Sequence, residues 1–202
     1  MAKRLNEYDY LYISARIHTL ETKLLTRERM ERMLSARTAE EAARVLAECG
    51  YGDFPALTPA GIEETLNQAR LALFDDLRRD APNPNLVDVF RVKYDYHNAK
   101  ALLKAGAVGR DAGPLLLDAG RYPAGQLRED VERGDLDRYS ETFRQAVAAA
   151  RETLASSGDP QAADFILDRA YYAEMLQAAQ ASGSSFLEGY VRLSIDNANL
   201  RA

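Results

Sequence analysis

Apolar positions recur along this chain at spacings of three and four. The segments that carry them are bounded by helix start and stop residues, not by hairpin turns. From about Leu5 to Leu25, the residues Tyr8, Leu11, Tyr12, Ala15, Leu20 and Leu24 fall near one helical face. A short helix after Thr26 carries Met30, Met33 and Leu34, and the two are expected to pair antiparallel. Thr38 with Glu41 forms a capping box that opens the next helix, and Gly50 closes it. Thr58-Pro59 supplies a hydroxyl cap and a proline at N1 for a helix facing inward through Ile62, Leu66, Ala69 and Leu73; Ala81-Pro82-Asn83-Pro84 ends it. Asn85, with Asp88, caps a helix that runs to about Ala105 and stops at Gly106. Helices are then predicted from about Ala124 to Arg133, from Leu136 to Leu154, and from Asp159-Pro160 to Ser182-Gly183. A last one opens at Ser185 with Glu188 as a second capping box. No stretch sustains strand alternation, so the predicted fold class is all-α, built of repeated helical-bundle units.

The repetition is visible in the letters. Phe90-Arg91-Val92-Lys93-Tyr94-Asp95-Tyr96-His97-Asn98-Ala99-Lys100-Ala101 matches Val191-Arg192-Leu193-Ser194-Ile195-Asp196-Asn197-Ala198-Asn199-Leu200-Arg201-Ala202 at a constant offset. Arg91, Asp95 and Asn98, and again Arg192, Asp196 and Asn199, fall at i, i+4 and i+7, one continuous stripe on a helix. The stripe reads either as a carboxylate site or as a hydrogen-bond network that fixes helix register. Arg before Asp is the weaker order for an on-helix pair, which favours bonds from Asp95 and Asn98 to backbone or side chains of neighbouring helices. The second copy stops at Ala202, where the first continues through Leu102-Leu103-Lys104 to a glycine. The chain is therefore expected to be a piece of a longer protein with at least one further unit.

Composition narrows the function. A net charge of -5, from 26 basic and 31 acidic residues, offers no footprint for nucleic acid. The longest apolar runs fall far short of the roughly 20 residues that cross a bilayer, and the N-terminus is charged and tyrosine-rich, so a cytoplasmic protein is expected. Cys49 is the only cysteine and His18 and His97 the only histidines, too few for a usual zinc shell. The glycines from Gly106 to Gly113 lack the Gly-Lys-Ser/Thr of a phosphate loop and read as a linker. No catalytic residue, cofactor or metal is expected.

Four segments carry a family resemblance. They are Tyr10-Leu11-Tyr12-Ile13-Ser14-Ala15-Arg16-Ile17 with Glu21 and Leu24-Leu25; Ala39 to Cys49 leading into Gly50-Tyr51-Gly52-Asp53; Tyr94-Asp95-Tyr96-His97-Asn98-Ala99-Lys100; and Ser194-Ile195-Asp196-Asn197-Ala198-Asn199-Leu200-Arg201. Together they resemble the family of C-type (also called d-type) subunits of V-type and A-type ATPases and ATP synthases. The resemblance implies a funnel of three all-helical units, of which this chain carries about two: residues 1–88, residues 89–189, and the opening helix of a third over 190–202. It also implies a non-catalytic rotor part on the cytoplasmic face of the cell membrane, peripheral to it. Its implied partners are the central-shaft subunits (D/F type) and the proteolipid c-ring, and its role is to couple them for proton or sodium transport. An all-helical scaffold binding unrelated proteins is the alternative, although common solenoid units are only about 30 to 50 residues long.

Overall fold

The computed structural model describes residues 6–200, and every regular element in them is helical. The chain divides into two compact units, Met1–Pro84 and Asn85–Ala202.

The first unit holds a 3₁₀ turn (Glu7–Tyr10), α1 (Leu11–Glu21), α2 (Arg27–Leu34), α3 (Ala39–Glu48) and α4 (Pro59–Asp80). The caps sit where short polar side chains can reach orphan amides: Thr26, Thr38 and Thr58 accept from the N–H of Arg29, Glu41 and Gly61. Glu41 closes its box one residue early, accepting from Arg37 N at 2.9 Å instead of from Thr38. Gly50 takes φ +82°, the left-handed conformation that stops α3. The first two helices do not pair chiefly with each other; α1 packs on α4, and α2 on α3. Arg16 of α1 bonds Asp76 and Asp80 of α4. The buried face of α1 therefore runs through Ile13, Arg16 and Leu20, whereas Tyr8, Leu11 and Tyr12, expected to face inward, lie in solvent.

The second unit is built around α5 (Asn85–Ala107), against which α6 (Ala124–Arg133), α7 (Glu141–Ser157) and α8 (Pro160–Ala181) pack; α9 (Ser185–Asn199) lies on α8. Val92, Tyr96, Leu103, Leu127, Phe143, Val147 and Leu167 make one core, and Val89, Met175, Leu187 and Val191 a smaller one. Two starts differ from expectation. Ser140, not the region of Leu136, caps α7 by accepting from Phe143 N at 3.1 Å, and Ser184 caps α9 by accepting from Leu187 N at 3.3 Å, one residue before Ser185. Glu188 is thereby free to pair with Arg192.

Candidate functional site

Helix α5 is buried on nearly all sides, so its polar residues need partners or cost several kcal/mol. They find them in one place: the loop that connects α5 to α6. Arg91 donates through Nε to the Ala119 carbonyl at 3.4 Å and through a terminal nitrogen to the Gly120 carbonyl. Asp95, with no exposed surface, accepts from Arg121 N at 2.9 Å and Tyr122 N at 3.4 Å. Asn98 pairs with both backbone groups of one residue, donating to Leu117 O and accepting from Leu117 N, both at 2.9 Å. Adjacent to the stripe, His97 Nε2 lies 3.0 Å from the Leu115 carbonyl. One side of α5 thus clamps residues 115–122 through their backbone, with the Asn98 amide, the Arg91 guanidinium and the Asp95 carboxylate met in that order as the loop runs past them. The partners are a loop and not the neighbouring helices that the spacing suggested.

The clamp continues into an ion-pair chain. Arg121 sits between two carboxylates, Nε at 2.6 Å from Asp95 and a terminal nitrogen at 2.9 Å from Glu174 of α8, and Tyr96 donates its hydroxyl to Glu174 at 2.7 Å. Burial pushes the Asp95 carboxyl up to about 6, against the pull of Arg121 and the two amides. Burial by itself would lower Arg121, but the charges of Asp95 and Glu174 outweigh it and hold the guanidinium above its ordinary value. Burial, and then the bond to Glu174, raise Tyr96. Gly120 threads between these groups, where a Cβ would collide with Asp95 Oδ1. Every polar atom of this cluster that is placed by a bond is placed on the chain's own backbone or side chains. The arrangement holds a turn.

Arg121, Gly120 and Glu174 were not among the residues the sequence singled out. Glu174 carried a readable signal: Leu167, Tyr171, Glu174 and Ala178 share one helical face, so a carboxylate stands in an otherwise apolar stripe. The loop residues have no periodicity to expose them.

The second copy of the stripe is placed differently. Arg192, Asp196 and Asn199 are all exposed, and Arg192 folds back on Glu188 one turn earlier at 2.7 Å. The side chains of Asp196 and Asn199 have no partner among the described residues. No cluster of His, Cys, Asp and Glu suited to a metal occurs among the described residues, and no helix in them is long and apolar enough to cross a membrane.

A helical unit whose buried polar cluster is spent on its own backbone and side chains defines an all-helical class of protein, and comparison gives the family. The sequence profile of the ATP synthase (C/AC39) subunit family matches residues 13–202, and the chain belongs to that family. It is 23% identical over 195 residues to the C subunit of the V-type sodium ATPase of Enterococcus hirae, covering 95% of this chain and 59% of that protein. It is 26% identical over 213 residues to the C subunit of the V-type ATP synthase of Deinococcus radiodurans, covering 95% and 58%. Against the C subunit of the A-type ATP synthase of Methanocaldococcus jannaschii, identity is 28% over 134 residues, covering 61% and 34%. The chain thus spans less than two thirds of the length of the curated relatives it matches. No solved structure matches it.

Proposed function

We propose that this chain is a non-catalytic central-stalk part of a V/A-type ATPase or ATP synthase. It would seat the central shaft (D/F type subunits) on the membrane ring of proteolipids, so that torque passes between ATP chemistry and proton or sodium movement. Its place is the cytoplasmic face of the membrane, peripheral and not inserted. The division into units at 1–88 and 89–189, with 190–202 opening a third, belongs to the same proposal.

The observation that carries the reading is the family match over residues 13–202. The site supports it: a coupling part needs stiff helical units more than it needs a reacting group, and the buried charges here bind the α5–α6 loop to its helix. The test is reconstitution. Purified shaft subunits and a detergent-solubilised proteolipid ring are each immobilised, and the chain is passed over them. Retention by either, lost when an unrelated helical protein of similar charge replaces the chain, is the expected result. Retention by neither would remove the rotor assignment, and micromolar binding of magnesium-ATP in calorimetry would count against a non-catalytic role.

A further inference from the structure

The two stripes are alike in sequence and opposite in exposure. Aligned by the repeat, Val89, Val92 and Ala99 of α5 are each 0% exposed, while their counterparts Tyr190, Leu193 and Leu200 of α9 are 43%, 62% and 86% exposed. Asp95 and Asn98 are fully buried; Asp196 and Asn199 are open to solvent. An apolar face of this size left bare on a helix is uncommon unless something covers it. In α5 the apolar positions are covered by helices, Val92 and Ala99 in the core with Leu127, Phe143 and Leu167 and Val89 beside Met175 and Val191, while the polar stripe at the same spacing holds the loop 115–122.

We infer that Arg192, Asp196 and Asn199 form a second loop clamp, and that its ligand is a polypeptide turn with the chemistry of Leu117–Tyr122. That turn must offer the N–H and C=O of one residue to the Asn199 amide, two consecutive N–H groups and an arginine to the Asp196 carboxylate, and two carbonyls to Arg192. It must carry glycine where the backbone passes the carboxylate, as Gly120 passes Asp95. By the repeat, such a turn would stand 19 to 26 positions beyond its clamp residues, as Asn98 and Asp95 reach partners 19 and 26 positions on. The curated relatives contain polypeptide beyond the share this chain covers, at 59% and 58% of their lengths. Next to the stripe, a groove of about 590 Å³ between α8 and α9, lined by Phe165, Tyr172, Leu176 and Ile195 together with Asp168 and Arg169, offers both apolar and charged surface beside the clamp. Occupying the clamp requires Arg192 to leave Glu188, an exposed i,i+4 pair of the weak, solvent-screened kind. The inference is independent of what the assembled complex does.

The experiment joins a second copy of Leu102–Ala124 after Ala202 of the full chain, in register with the repeat, and reads amide hydrogen exchange. The tether keeps the turn at millimolar effective concentration, so a weak clamp still registers. The expected result is at least tenfold slowing, relative to the free peptide, at the appended amides that copy Leu117 and Arg121. Asn199→Ala should abolish the first and Asp196→Ala the second, with protection at the native Leu117 and Arg121 unchanged. Free-peptide rates at both appended amides, or slowing that survives both substitutions, would overturn the inference. So would a concentration-dependent dimer of the unextended chain that Asp196→Ala dissolves, since the occupant would then be a second copy.

Discussion

Asp95 gathers an arginine and two backbone amides onto one carboxylate with no solvent to replace them. Removing it strands Arg121 beside Glu174 and leaves two N–H groups unmet. Losing one partner of a buried pair costs about 3 to 5 kcal/mol, so Asp95→Ala should lower the thermal midpoint by many degrees. Asp196→Ala, at the matching position of the repeat but exposed, should leave the midpoint nearly unmoved. Equal effects would mean that the loop does not depend on the carboxylate. The same group makes stability depend on pH. Folded Asp95 holds its proton up to about 6, above its ordinary 3.8, so its protonation favours the folded state fully below pH 4, and that share is lost as pH rises through 6. A shift of about two pH units corresponds to about 3 kcal/mol. The margin of the wild type over Asp95→Asn in urea unfolding should shrink by up to that amount between pH 4 and pH 7. A carboxyl resonance of Asp95 titrating below pH 4 would contradict the sign.

At the scale of the element, the pairing of α5 with its loop turns on a residue without a side chain. Asp95 Oδ1 lies where a Cβ of Gly120 would stand, and its bonds to Arg121 and Tyr122 keep it there. Gly120→Ala should therefore destabilise by about 1 to 3 kcal/mol, the usual cost of overpacking a filled site. Gly125, inside α6 with open space around it, gives the contrast: alanine there should gain about 0.5 to 1 kcal/mol from helix propensity. Thermal unfolding of the two variants checks both, and a stable Gly120→Ala would show that the loop can give way. Elements of this kind differ in how legible they are in sequence. Caps act over two or three residues, so Thr26, Thr58 and Asp159 could be read directly, while Ser184 beside Ser185 could not be resolved to the residue because both hydroxyls are adequate caps. The stripe was legible because it is written twice. Its partners were not: Gly120 and Arg121 lie in an aperiodic loop, and Glu174 meets Tyr96 from 78 positions away. The outward turn of Tyr8, Leu11 and Tyr12 was misjudged because apolar spacing marks a face without saying whether anything covers it.

Across the whole molecule, burial is divided unequally between the two units. Among the described residues of the first, only Ile13, Val45 and Cys49 are buried, and α1 is tied to α4 by the Arg16 ion pairs with Asp76 and Asp80. The second unit has a continuous core that reaches from Val92 and Leu103 through Phe143 and Val147 to Leu167, with the Asp95–Arg121–Glu174 chain beside it. Local opening is easiest where few apolar side chains must be exposed, so the two units should open at different free energies. Amides in the middle of α5 and α7 should exchange at least a hundredfold more slowly than those of α2 and α3, and urea should melt the first unit before the second. The measurement is native-state hydrogen exchange on the full chain across a urea series. A single transition in which α3 and α5 exchange together would mean that the first unit draws its stability from sources other than its own core. If the two do separate, adding shaft subunits or the proteolipid ring gives a direct reading of the proposed assembly: protection gained selectively in α1–α4 would identify the first unit as one that is completed by a partner.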